Sequence, residues 1–199
     1  MGGGASLQAD EDGSTGGERL RNACSAGRLD KVEKLLSTGL DANETASDGN
    51  TALTLACGKG HVDIVATLLT VPGINANHVR SAGFTPIIIA ALNGHAEIVR
   101  LLRAFRGIDV NHSTDKGSTA LIMATQNGHT SAVLVLIEVP QLEINHAATD
   151  GYSALILASS NGYKEQVQAM LQVPGVDVNI ATNKGEAGRR QDADHPSSC

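Results

Sequence analysis

The chain has 199 residues and a net charge of −6, with 41% hydrophobic and only 2% aromatic residues. One core of ordinary domain size is expected, filled by helices that pack through Leu, Ile, Val and Ala. The negative charge opposes binding to nucleic acid, and no apolar run approaches the roughly 20 residues that a membrane-spanning helix needs.

The first 17 residues are rich in Gly, Ser and acidic side chains, and we expect residues 1–17 to form a disordered tail. The start, Met1-Gly2-x-x-x-Ser6, fits the N-myristoylation pattern, which a Gly-rich start also produces by chance. Gly2 is therefore a candidate lipidation site, and intact-mass measurement from a eukaryotic host tests it. One acyl chain anchors weakly, so at most transient membrane association is expected.

A repeat follows the tail and covers residues 18–183. Glycines recur at 49, 83, 117 and 151 and again at 60, 94, 128 and 162, which is a period of 34 residues. The predicted units are a degenerate first copy at 18–48 and full copies at 49–82, 83–116, 117–150 and 151–184. Residues 185–199 are predicted to be a disordered tail or a truncated repeat.

Each full unit begins with a predicted first helix: TALTLA, TPIIIA, TALIMA and SALILA open the four copies. The hydroxyls expected to cap these helices belong to Thr51, Thr85, Thr119 and Ser153, and Pro86 takes a first helical position. Gly60, Gly94, Gly128 and Gly162 are expected to turn the chain in the left-handed conformation. A second amphipathic helix follows, and then a turn such as VPGINAN leads into the next unit.

Together these motifs resemble the ankyrin repeat, with its Gly-x-Thr-Pro-Leu-His-x-Ala, Gly-His, Leu-Leu and Asp-Val-Asn elements in degenerate form. The resemblance implies an all-α repeat solenoid of stacked helix-turn-helix units joined by β-hairpin loops. Two features depart from the family pattern. The period has an extra residue, placed in the Val-Pro-Gly turn, and the family histidine is replaced by Thr54, Ile88, Ile122 and Ile156, which weakens hydrogen bonding between hairpin and helix.

The end of the repeat leaves two interpretations open. Asn183-Lys184-Gly185 resembles the opening of another unit, but residues 186–199 are polar and have no helix pattern. A terminal unit without a polar outer face exposes apolar surface. Either Gln166, Gln168 and Gln172 serve partly as a polar cap, or the chain is a truncated or spliced form of a longer protein.

Six histidines recur every 17 residues, at 61, 78, 95, 112, 129 and 146. Equivalent positions on packed helices lie about 8–10 Å apart, too far for ligands that sit about 2 Å from one zinc ion. We therefore expect no metal and no other cofactor. His61, His95 and His129 are predicted to bond to backbone near the helix turn. His78, His112 and His146 are predicted to form an exposed ladder, which would make binding pH-sensitive near about pH 6.

Other candidate chemistry is weak. Cys24 and Cys57 fall at equivalent first-helix positions and are expected to be buried, reduced thiols. Lys116-Gly117-Ser118 belongs to a hairpin and lacks the spacing of a phosphate-binding loop. Arg100, Arg103 and Arg106 form a basic stripe on one helix, either for an acidic partner or as a solvated face.

The resemblance places partner binding on the hairpin tips and the exposed side of the first helices, which form the concave face. Phe84 and Tyr152, with Leu92 nearby, either form an apolar contact patch or pack across neighbouring hairpins. The implied contact residues are Ser47, Asp48, Asn50, Lys59, Ser81, Ala82, Phe84, Leu92, Asn93, Asp115, Lys116, Ser118, Gln126, Asn127, Thr149, Asp150, Tyr152, Ser160 and Asn161.

The sequence thus favours a non-enzymatic scaffold or adaptor that binds protein partners, is monomeric and works in the cytoplasm or nucleus. One alternative is the targeting or regulatory segment of a larger enzyme, such as a ubiquitin ligase or kinase, truncated here. Another is a membrane-surface adaptor with acylated Gly2. An ankyrin fold hosts many roles, so it does not decide among them.

Overall fold

A computed structural model describes residues 14–180 and Thr182, and within these residues the fold is an array of ten α-helices. The helices are α1 (Gly16–Ser25), α2 (Leu29–Leu36), α3 (Ala52–Lys59), α4 (Val62–Leu69), α5 (Pro86–Leu92), α6 (Ala96–Ala104), α7 (Ala120–Gln126), α8 (Thr130–Ile137), α9 (Ala154–Ser160) and α10 (Lys164–Met170). Isolated β-bridges close three of the hairpin loops, as between Ser113 and Thr119. The predicted helical repeat solenoid is confirmed.

The helices stack in two layers. The odd-numbered helices α1, α3, α5, α7 and α9 each contact the next, and the even-numbered helices do the same in a second row. Small residues line the inner side of the first row, where Ala56, Ala90 and Ala124 are fully buried. One continuous apolar core runs between the layers, so each unit is stabilised mainly by its neighbours.

Hydroxyl caps start most of the first helices. The side chains of Thr51, Thr119 and Ser153 each accept a hydrogen bond from a backbone N–H three residues on, at 3.2 to 3.4 Å. The predicted cap at Thr85 is wrong, because its hydroxyl makes no such bond. Pro86 follows at the first helical position, as predicted, and its preset φ angle starts α5 without the cap.

The turns between paired helices depend on glycine. Gly60, Gly94, Gly128 and Gly162 have φ angles of 72° to 80°, which confirms the predicted left-handed turns. The second helices then begin two residues later, without a side-chain cap. This tight connection holds each helix pair antiparallel.

The array begins two residues before the predicted boundary at Glu18. Thr15 accepts a hydrogen bond from the N–H of Glu18 and donates one to Glu44, so that α1 starts at Gly16. The tail of residues 1–13, with Gly2, and residues 183–199, with Cys199, lie outside the described residues. Within the described part, none of the helices has the length and apolar content needed to cross a membrane.

Candidate functional site

A ladder of asparagines joins the loops that lead into the hairpins. Asn111 donates from Nδ2 to the carbonyl oxygen of Gln141 at 2.8 Å and accepts at Oδ1 from the N–H of Glu143 at 2.9 Å. The same pair of bonds recurs at Asn43, Asn77 and Asn145. The sequence marked these residues only as register points, and nothing in it pointed to their partners. The ladder fixes the spacing between successive loops.

Histidines bind the units together on two sides. The Nε2 atoms of His61, His95 and His129 lie 3.0 to 3.3 Å from backbone carbonyl oxygens of the preceding unit, near its helix turn, as predicted. A second set reaches the preceding hairpin: Nε2 of His78, His112 and His146 lies 2.8 to 3.1 Å from the carbonyl oxygens of Gly49, Gly83 and Gly117.

The second histidine set corrects the prediction of an exposed ladder. The three rings are half-buried, and the His146 side chain is 27% exposed. The hairpin carbonyls that they meet need hydrogen-bond donors, and the imidazole N–H supplies one. These residues therefore serve the packing of hairpins and do not form an open surface. Among the described residues, no group of three or more His, Cys, Asp or Glu is placed to hold a metal ion.

The hairpin tips are held from within and from the next unit. The Oδ1 atom of Asp48 accepts from the N–H of Asn50 at 2.9 Å, and this bond lowers the pKa of the Asp48 carboxyl. Asp150 holds the N–H of Tyr152 in the same way. Adjacent tips are bonded through the N–H of Asp115, which donates to the carbonyl of Ala82 at 3.2 Å. The tips therefore present their side chains from a fixed backbone.

Most of the predicted contact residues lie at the surface. The exposed ones are Ser47, Asp48, Lys59, Ser81, Ala82, Asn93, Asp115, Lys116, Gln126, Asn127, Thr149, Asp150, Ser160 and Asn161, and Asn50, Phe84, Leu92 and Tyr152 are half-buried. Ser118 is wrong as a contact residue, because it is only 8% exposed. Its N–H and carbonyl both bond to Thr114, which draws it under the hairpin. Partner binding by the others stays a prediction.

The two aromatic candidates are not free surface residues. Phe84 packs against the apolar core, and the guanidinium of Arg80 lies 5.2 Å from the centre of its ring. Ala82 between them has a φ angle of 63°, a left-handed conformation unfavourable for alanine. For Phe84 these contacts favour the packing interpretation over the exposed patch. Tyr152 is half-buried as well.

The predicted basic stripe is largely neutralised. Helix α6 ends at Ala104, so Arg106 lies beyond it and the three arginines do not share one helix. Arg103 contacts Glu138 of the next unit at 2.6 Å, and Arg100 contacts Glu97 at 3.3 Å. Paired guanidinium groups are poor sites for an acidic partner, which favours the solvated-face interpretation.

Both thiols of the first two units are in the core, as predicted. Cys24 and Cys57 are free and have no exposed surface. Burial raises the pKa of Cys24 to about 12 and that of Cys57 further, because a thiolate is poorly solvated there. Neither thiol is ionised at neutral pH, so neither is an activated nucleophile.

The comparison with protein families agrees with this architecture. A family model for ankyrin repeats, which describes three copies, matches residues 20–114 and again residues 105–182. The chain belongs to the ankyrin repeat family. Ankyrin repeats generally mediate protein–protein interactions, so a protein partner is the class of ligand that this family implies. A search of curated proteins finds no match to the chain.

Proposed function

We propose that this chain is a scaffold or adaptor without catalytic activity, which binds a partner protein on the hairpin tips and the exposed side of the first helices. The observation that carries the proposal is the row of exposed side chains that recurs in successive units. Lys59 and Gln126 end α3 and α7, and Asp48, Lys116 and Asp150 occupy hairpin tips. A surface of this kind contacts an extended epitope with several units at once.

The rigidity of the surface supports a binding role. Asparagine and histidine side chains join each hairpin to its neighbour, and the tip carboxylates hold their own turns. A surface that is already ordered loses little conformational entropy when a partner binds. Polar and charged side chains on such a scaffold then decide which partner fits.

The absence of catalysis is part of the proposal, and the buried thiols support it. Cys24 and Cys57 are the most reactive side-chain type in the described residues, and burial holds both in the neutral form. The histidines that would serve as general bases are committed at Nε2 to backbone carbonyls. Both groups are used for packing, which fits a binding module.

Two charge-matched variants test the proposal. The first combines Lys59→Glu, Lys116→Glu and Gln126→Glu on the proposed surface, and all three side chains are exposed. The control combines Lys34→Glu, Lys164→Glu and Gln168→Glu, which are exposed on the second helices α2 and α10. Both variants replace two lysines and one glutamine, so they change the net charge equally.

Affinity capture from lysate with quantitative mass spectrometry compares the two variants with the original chain, after circular dichroism shows equal folding. The expected result is a set of proteins that the original chain and the control retain and the surface variant loses. Equal retention by both variants would contradict binding at the hairpin tips and first helices.

A further inference from the structure

The two ends of the array differ in polarity. Each unit turns one side toward its predecessor: Ile89 lies against Gly58 of the unit before, and Gln166 donates to Thr130. In later units the positions equivalent to Ile89 and Gln166 are mostly apolar. The first unit places Asn22 and Lys31 there, on a face that has no predecessor among the described residues. The N-terminal face is therefore polar and suited to water.

The opposite end has no such polar layer. Leu155, Ile156 and Val167 are partly exposed, whereas the residues one repeat earlier, Leu121, Ile122 and Val133, are 2% exposed or less. Two more apolar side chains project beside them, with exposures of 44% at Leu171 and 63% at Val178. We call the surface made by Leu155, Ile156, Val167, Leu171, Val178 and Ile180 the C-terminal face.

The C-terminal face contains a groove as well as projecting side chains. The groove has a volume of about 380 Å³, which is room for several branched aliphatic side chains, and Asp177 is the one charged residue in its lining. In every earlier junction the equivalent positions are covered by the next helix pair. The predicted glutamine cap does not cover it, since Gln166 is buried on the other side of α10 and Gln168 and Gln172 are exposed.

The composition of the rest of the chain narrows the choice of what covers this face. Residues 183–199 contain no Leu, Ile, Val, Met, Phe, Tyr or Trp, and so offer no large apolar side chain to the groove. The polar N-terminal face of a second copy, with Asn22 and Lys31, would leave polar groups against apolar ones. Head-to-tail stacking of copies is therefore disfavoured.

A second copy of the same face is complementary. Leu171 and Val178 project beside the groove, so a two-fold axis places the projecting side chains of each copy at the groove of the other. The overall charge of −6 does not oppose this contact strongly, because Asp177 is the one charge in the groove lining. We propose that two copies of this chain associate through their C-terminal faces as a two-fold symmetric dimer, in place of the monomer expected from the sequence.

This inference is independent of the proposed function, because the C-terminal face lies at the end of the stack. The dimer would hold two partner-binding surfaces, one from each copy, in a fixed relation. Bivalent capture of two partner molecules would then gain avidity without any new contact.

The test is sedimentation equilibrium of the full chain across a wide micromolar range, under reducing conditions so that thiols cannot link the copies. The expected mass rises from one chain of 20.5 kDa to two and no further. The variants Leu171→Glu and Val178→Asp each bring a charge into the apolar contact, so the dimer dissociation constant should increase at least about tenfold.

Val79→Asp is the matched control, because Val79 is 49% exposed and lies in the loop between α4 and α5, far from the terminal unit. It should leave the dissociation constant unchanged, and circular dichroism should show all three variants folded. A monomer at every concentration, growth beyond two copies, or equal weakening by Val79→Asp would each overturn the proposal. If a chain ending at Thr182 dimerises and the full chain does not, residues 183–199 cover the face instead.

Discussion

Replacing Asn111 with alanine removes both bonds by which one loop holds the next. The bonds lost are the donation from Nδ2 to Gln141 and the acceptance at Oδ1 from Glu143, at 2.8 and 2.9 Å. Each hydrogen bond of this kind contributes about 0.5–1.5 kcal/mol net, so the free energy of unfolding should fall by about 1–3 kcal/mol. For a domain of this size the melting temperature should fall by about 2–4 °C for each kcal/mol.

The matched control is Asn179→Ala. Asn179 holds the same position in the last unit, and within the described residues its side-chain amide bonds to no following loop. Its replacement should therefore change the unfolding free energy by less than about 0.5 kcal/mol, as for an ordinary surface substitution.

Urea denaturation followed by circular dichroism gives both values. Native-state hydrogen exchange at Glu143 gives a local reading, because its N–H is the donor in one of the two bonds. If Asn111→Ala and Asn179→Ala lose equal stability, the ladder is not a source of coupling between units and the reasoning fails.

Two further substitutions have equally direct readouts by urea denaturation. Gly94→Ala should destabilise clearly more than Gly162→Ala: both glycines have positive φ, costing about 1–2 kcal/mol for alanine, but a Cβ at Gly94 would also lie 2.5 Å from Nδ1 of His129, whereas nothing lies within 4 Å at Gly162. Equal losses would show that the histidine yields freely. Gln166→Leu should stabilise by about 1 kcal/mol, because Oε1 of this fully buried residue has no hydrogen-bond partner. A loss of stability would mean that the bond from Nε2 to Thr130 outweighs that cost.

The repeat and its helices were predictable because each depends on local chemistry. Glycine at positive φ, proline at a first helical position and apolar residues at helical spacing act within a few residues, and the structure agrees at Gly60, Pro86 and α4. A fixed 34-residue register then repeats those local signals, so even degenerate copies could be aligned.

Contacts between units were harder to predict, because the register gives equivalent positions and not their partners. The spacing of His112 is the same whether its ring is exposed or, as observed, bonded to the carbonyl of Gly83. Ser118 looked like a surface residue from family position alone, but its two backbone bonds to Thr114 bury it. Arg103 looked free until α8 brought Glu138 to it.

The bonds between units described here repeat with the same step as the sequence. Asn77 reaches the loop of the following unit as Asn111 does, and His95 reaches the preceding unit as His129 does. A duplicated segment of 34 residues, inserted between two units, would restore these bonds at both new junctions. The gene for such an array can therefore lengthen or shorten by whole units without redesign of any junction, whereas an insertion of another length would break the ladder where it falls.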